Sequence, residues 1–181
     1  DALSDADYNV AVGSQALSQD TLGSRSVAVG QSALFTQNFT TATNAYNTAV
    51  GMSAGAAVTT GVESTLIGGL AGDALTTGQQ NVALGYNALG TDTLGNRSVA
   101  IGHSALDSQN FTTATNAYNV AVGYSAGTAV TTGIKNAIFG TLALSAATTG
   151  QENVAIGHQA LLSDTKGQRN VAVGANALDA Q

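Results

Sequence analysis

Cysteine, proline and tryptophan are absent from this 181-residue chain, and charged and aromatic residues are scarce, at 9% and 5%. Without cysteine there is no disulfide, no thiol nucleophile and no zinc finger, and the redox compartment stays open. Only five basic residues occur, Arg25, Arg97, Lys135, Lys166 and Arg169, scattered among 11 acidic ones. A net charge of −6 and a pI near 4.4 argue against nucleic acid as a partner. No run of 18 apolar residues is present, so no helix is expected to cross a membrane. No signal-peptide pattern opens the chain, which begins at Asp1; the expectation is a mature product or an excised fragment.

What remains is rich in small residues. Glycine numbers 22, while the apolar share of 44% is too high for a disordered chain. A narrow, regular, stacked structure fits that balance better than an ordinary globule does.

One motif runs through the chain: Asn or Ser, then Val-Ala-aliphatic-Gly, two variable residues, Ala, and Leu or Gly. Its glycine falls at Gly13, Gly30, Gly51, Gly68, Gly85, Gly102, Gly123, Gly140, Gly157 and Gly174, at spacings of 17 or 21 residues. A unit of 72 residues therefore repeats, over 1–72, 73–144 and a partial 145–181, and 37–47 is identical to 109–119. The chain reads as one repeat domain over 1–181.

The columns of the repeat have physical content. A large apolar residue precedes each motif glycine and Val usually stands two places earlier, with Ala between them. That two-residue alternation is a short strand. The glycine ends it, where positive φ or close backbone approach is required. Three residues later every coil carries Ala, from Ala16 to Ala177, which implies a site without room for another methyl group. Gly23, Gly61, Gly78, Gly95, Gly133, Gly150 and Gly167 mark a second turn. Asn44 and Asn116 take that place in the two long coils, which predicts a left-handed conformation there. Asn9, Asn47, Asn81, Asn119, Asn136, Asn153 and Asn170 are expected to form a ladder, interrupted by Ser26, Ser64 and Ser98.

These signals predict an all-β fold, a parallel β-solenoid of about ten coils of 17–21 residues. Each coil contributes few large side chains, so the Ala-rich face is expected to bury against other chains, three around an axis.

The motif resembles the head repeats of trimeric autotransporter adhesins, seen here in Asn9-Val-Ala-Val-Gly13, Ser98-Val-Ala-Ile-Gly102 and Asn153-Val-Ala-Ile-Gly157. Its longer form, with Thr-Thr-Gly following, is similar to repeats of phage tail fibres and bacterial surface fibres. The resemblance spans essentially the whole chain, although these coils are longer than the usual head repeat. It implies a homotrimer of left-handed β-rolls that forms an extracellular fibre segment, on a cell surface or a virion, and works in attachment.

Chemistry is sparse. His103 and His158, the only histidines, stand after the motif glycine in a variable column that reads as solvent-facing, with no ligand cluster beside them. Catalytic residues, metal and cofactor are expected to be none. Gly68-Gly69-Leu70-Ala71-Gly72-Asp73 matches a calcium nonapeptide only once and reads as a repeat turn. Asp20, Asp92 and Asp164 recur every 72 residues, as do Arg25, Arg97 and Arg169, and are expected to form exposed ion pairs. Phe39, Tyr46, Phe111 and Tyr118 lie in the long coils, either filling core or interface or offering a platform for a glycan or receptor. Asn38 and Asn110, and also Asn96, match the N-glycosylation pattern.

The leading expectation is thus a non-enzymatic structural or adhesive fibre segment. The alternative is a carbohydrate- or receptor-binding module using the long-coil aromatics. An ice-binding face ranks lowest, because threonine is expected to cluster in turns rather than align.

Overall fold

The computed structural model describes residues 6–179. Fourteen strands occur among them. The first seven are β1 (Val10–Val12), β2 (Gly23–Ser24), β3 (Val27–Val29), β4 (Thr43–Asn44), β5 (Thr48–Val50), β6 (Thr65–Ile67) and β7 (Val82–Leu84). Then come β8 (Gly95–Asn96), β9 (Val99–Ile101), β10 (Thr115–Asn116), β11 (Val120–Val122), β12 (Ala137–Phe139), β13 (Val154–Ile156) and β14 (Val171–Val173).

Ten of these strands form one parallel sheet in the order β1-β3-β5-β6-β7-β9-β11-β12-β13-β14. Every coil adds one strand in strict register, so that Ala28 pairs with both Ala11 and Ala49. The chain is therefore an all-β parallel solenoid of ten turns, about 48 Å long at about 4.8 Å per coil. Two small parallel pairs, β2 with β4 and β8 with β10, brace the long coils.

The motif glycine meets both of its expected constraints. Gly123 has φ of 140°, and a Cβ there would lie 2.6 Å from the carbonyl oxygen of Gly140 in the next coil.

The sidedness of the strand differs from expectation. The central Ala, for example Ala28, Ala49, Ala83, Ala100, Ala121 or Ala155, is fully buried inside its own coil, not against another chain. The large aliphatics on either side point outwards. Leu84, Phe139 and Ile156 are 40–41% exposed in the middle and later coils. A 17-residue loop encloses too little width for pairs of Val and Ile, so alanine lines the inside.

The interior is completed by the fixed Ala, by the Leu or Gly that follows it, and by one further column. That further column reads Asp20, Gln37, Val58, Leu75, Asp92, Gln109, Val130, Ala147 and Asp164, all buried. Two polar coils alternate with two apolar ones, which is the physical content of the 72-residue period.

The turns also differ from expectation. Neither Asn44, Asn116 nor the second-turn glycines have positive φ. Gly23 and Gly95 pair instead with Thr43 and Thr115, one residue before each Asn. The left-handed conformation is taken at three other corners of each coil, at 27 non-glycine residues with φ between 48° and 64°. One corner precedes the strand-start Asn or Ser and runs Tyr8, Arg25, Tyr46, Glu63, Gln80, Arg97, Tyr118, Lys135, Glu152 and Arg169. Such residues cost about 1 kcal/mol or more each. Stacking overrides that cost, because corner amides donate to carbonyls of neighbouring coils: Lys135 donates to Ala117 of the preceding coil at 2.7 Å, and Leu34 to Ala54 of the following one at 3.0 Å.

The asparagine ladder is present, and it works through the backbone. Asn153 accepts the amide proton of Asn170 at 2.9 Å on Oδ1 and donates from Nδ2 to the Gly167 carbonyl at 2.8 Å. Asn9, Asn47, Asn81, Asn119 and Asn136 make the same pair of bonds.

Candidate functional site

The long coils separate their aromatics. Phe39 and Phe111 are buried, at 6% and 5% exposure, and fill the wider coil. Tyr46 and Tyr118 are 52% and 46% exposed on the left-handed corner. Of the four candidate binding residues, only the two tyrosines are therefore available at the surface.

Along that corner, neighbouring coils place complementary groups one above another. The guanidinium Cζ of Arg25 lies 5.1 Å from the Tyr8 ring centroid and 5.8 Å from that of Tyr46, while its Nε donates to Asn44 Oδ1 at 3.0 Å. Arg97 lies 5.7 Å from the Tyr118 ring, donates to the Tyr118 hydroxyl at 2.8 Å, and donates from Nε to Gln80 at 2.8 Å. Arg169 instead meets Glu152 at 2.8 Å, and Lys135 reaches the same carboxylate at 3.7 Å. The hydrogen bond and charge of Arg169 hold the Glu152 carboxyl below the usual range.

The aspartates are not the partners of these arginines. Asp20, Asp92 and Asp164 are buried, which corrects the expectation of exposed pairs. Asp92 accepts from the Gly95 amide at 3.0 Å and from Gln109 Nε2 at 2.6 Å. Gln109 also donates to Ser98 Oγ at 2.9 Å and accepts from Asn119 at 2.8 Å. The same relay joins Asp20, Gln37, Ser26 and Asn47. Ser26 and Ser98 interrupt the asparagine ladder where a Gln side chain reaches them, whereas Ser64 does so without one. Burial pushes the Asp92 carboxyl above its ordinary range, against the hydrogen bonds from Gln109 and Gly95.

The variable column after the motif glycine is exposed, as expected, and it contains a feature that single-residue inspection misses. Tyr86, His103 and Tyr124 stack on successive coils, with ring centroids 5.3 Å and 5.4 Å apart. Nearby, Asp73 and Asp107 are both raised by burial; the Asp107 charge adds to the first, while Asn87 and His103 oppose the second. Asp73 Oδ1 is the one buried side-chain oxygen without a partner among the described residues. No group of three metal-ligating side chains converges among them.

Asn38 and Asn110 are exposed and accept hydrogen bonds from Thr21 and Thr93 at 2.9 and 3.0 Å. Asn96 is 7% exposed and bound to the Gln79 amide, so its glycosylation pattern is closed off.

Threonine stands mostly in bends and turns between strands, as expected, and much of it also aligns from coil to coil. Thr59, Thr76, Thr93, Thr131 and Thr148 occupy one column with Thr21 and Thr165, broken only by Asn38 and Asn110. Thr59, Thr76, Thr131 and Thr148 are half-buried and donate their hydroxyls to a carbonyl of the next coil, so this column binds coils together.

The outer sheet face is the largest uniform surface. Its two columns run from Val10 to Val171 and from Val12 to Val173. They contain Val, Ile, Leu and Phe with two Thr and one Ala, and no charged residue. No protein-family model, curated protein or solved structure matches the chain.

Proposed function

We propose that this chain is a structural, non-catalytic segment of an extracellular trimeric fibre, built from left-handed rolls and used in attachment to a cell surface. The supporting observation is the outer sheet face, two uncharged and mostly aliphatic columns over ten coils, interrupted by Thr48, Thr65 and Ala137 in one of them. Contiguous apolar surface of this length is uncommon on a monomer. At about 48 Å by about 12 Å it measures roughly 600 Å², at the upper end of the apolar patches found on monomers. Its occupants in this reading are two further copies of the same chain. Identical flat faces in identical register suit a symmetric assembly around an axis. The sequence resemblance to adhesin heads and tail fibres supports three copies rather than two.

In this arrangement the aliphatic columns face the axis while the alanines pack each coil internally. Light scattering on a size-exclusion column tests it. A mass near three times 17.9 kDa is expected, and a monomer at micromolar concentration overturns the assembly.

A further inference from the structure

We propose that Arg25 and Arg97, with Tyr46 and Tyr118, form two related seats for carboxylate-bearing sugars of an anionic glycan. The inference names a ligand class for the attachment role above, but it stands on the left-handed corner and not on the apolar face.

Three arginines share that corner, one per 72-residue unit, and the protein shows what such a position takes. Arg169 holds a carboxylate, that of Glu152, at 2.8 Å. Arg25 and Arg97 hold none: among the described residues the only ion pairs are those of Glu152 with Lys135 and Arg169. Both guanidinium groups are nevertheless fixed in place. Arg25 lies between two tyrosine rings with its Nε tied to Asn44, so its exposed Nη groups form a pre-oriented fork. Arg97 is oriented by Gln80 and the Tyr118 hydroxyl, which leaves Nη2 for an incoming oxygen.

The exposed tyrosines narrow the ligand. A uronate-type pyranose carries a carboxylate for the fork and a C–H face for an aromatic ring, whereas an acidic peptide side chain offers only the first. The seats lie four coils apart, about 19 Å along a straight rod, so an extended polymer with regular charge can reach both. With a net charge of −6 the chain has no general attraction for polyanions, which makes binding depend on these two places.

The test is calorimetric titration of the assembled protein with galacturonate oligomers long enough to span both seats, beside the monomeric sugar, neutral dextran and polyglutamate. Oligomers are expected to bind at least tenfold tighter than the monomer, and dextran and polyglutamate at least tenfold more weakly. Arg25→Gln with Arg97→Gln should lower affinity at least tenfold, and Arg25→Lys with Arg97→Lys severalfold. Arg169→Gln should change it less than twofold, because that guanidinium is already occupied. Glu152→Gln should raise it by releasing Arg169 and Lys135. Undiminished binding in the double Gln variant, or an equal loss with Arg169→Gln, overturns the proposal. Polyglutamate binding as tight as the oligomer's overturns the sugar assignment in favour of an acidic peptide. Light scattering on the same samples separates the two readings. A monomer that still binds keeps the seats and removes the fibre; a trimer that does not bind does the reverse.

Discussion

Leu66 occupies the volume that Gly55 and Gly72 leave empty. A Cβ on Gly55 would lie 2.7 Å from Leu66 Cδ1, and one on Gly72 would lie 2.8 Å from Leu66 Cδ2. Most coils carry a small Ala in the strand and a large Leu after the fixed Ala; here the sizes are exchanged. Ile138 does the same for Gly127, with 2.7 Å between Cδ1 and the added Cβ. Val58, Leu75 and Val130, three residues after each glycine, lie 3.3, 2.9 and 3.5 Å from the same added Cβ atoms, so interior volume is balanced within a coil as well as between coils.

Leu66→Ala should therefore open a cavity and lower stability by about 2–5 kcal/mol. Adding Gly72→Leu returns apolar volume to that coil but meets Leu75, whose Cδ1 lies 2.9 Å from the added Cβ, so it should recover less than half of the loss. Denaturant titration of both variants checks this, and a double variant no better than the single one contradicts volume exchange.

Gln109→Leu should cost about 2–4 kcal/mol, because it strips the buried Asp92 carboxyl of a 2.6 Å donor inside the solenoid. The pH dependence has a definite sign. The folded-state pKa of Asp92 is raised, so the folded protein binds its proton more tightly than the unfolded chain does. Its contribution is favourable in acid and is lost as pH rises from the ordinary carboxylate range through the folded value. Asp73 and Asp107 act in the same direction. Glu152 opposes them, being lowered and losing its contribution as pH falls. Thermal melts from pH 7 to pH 4 should show the Leu variant's deficit shrinking in acid.

The left-handed corners predict an unusual substitution pattern. Ser53 has φ of 56° in a column where Asn87 and Asn176 also stand. Ser53→Asn should be neutral or stabilising by up to about 1 kcal/mol, while Ser53→Val should cost more than about 1 kcal/mol. Equal melting temperatures for the two variants would mean that the corner imposes no backbone preference.

On the outer face, Leu84→Lys should barely alter a single chain, by under about 0.5 kcal/mol for an exposed site. In the proposed trimer three such charges would meet near the axis. The expected outcome is a drop to monomer mass with the sheet's circular dichroism retained; an intact trimer would place that face outside the interface.

Much of this fold was legible because a ten-fold repeat exposes its columns. The glycine spacing gave the coils, the alternation gave the strands, and the fixed Ala marked the interior. Alternation alone cannot tell inside from outside, however, since Val27 and Val29 satisfy a strand equally well facing either way. The clue lay in size: only the column of Ala28 and Ala49 is small enough for a narrow coil. The left-handed corner before each strand left no mark, because stacking holds Arg25 or Lys135 there without help from Gly or Asn. Asp20 and Gln37 could have been recognised as buried, since they share a column with Val58 and Leu75. Pairing across coils, as between Arg25 and Tyr46, became visible only once register was fixed.

The alternation of Asp–Gln coils with apolar ones constrains how such a chain can change its length in evolution. Removing the 17-residue Asp92 coil would set Leu75 against Gln109, and removing the 21-residue Gln109 coil would set Asp92 against Val130; either leaves a buried polar side chain without its partner. Recombination that keeps the interior satisfied must therefore move each Asp–Gln pair of coils as a unit. The identical long-coil segments at 37–47 and 109–119 are the trace that duplication of a whole 72-residue unit would leave. Each further duplication of that kind would lengthen the rod by about 19 Å.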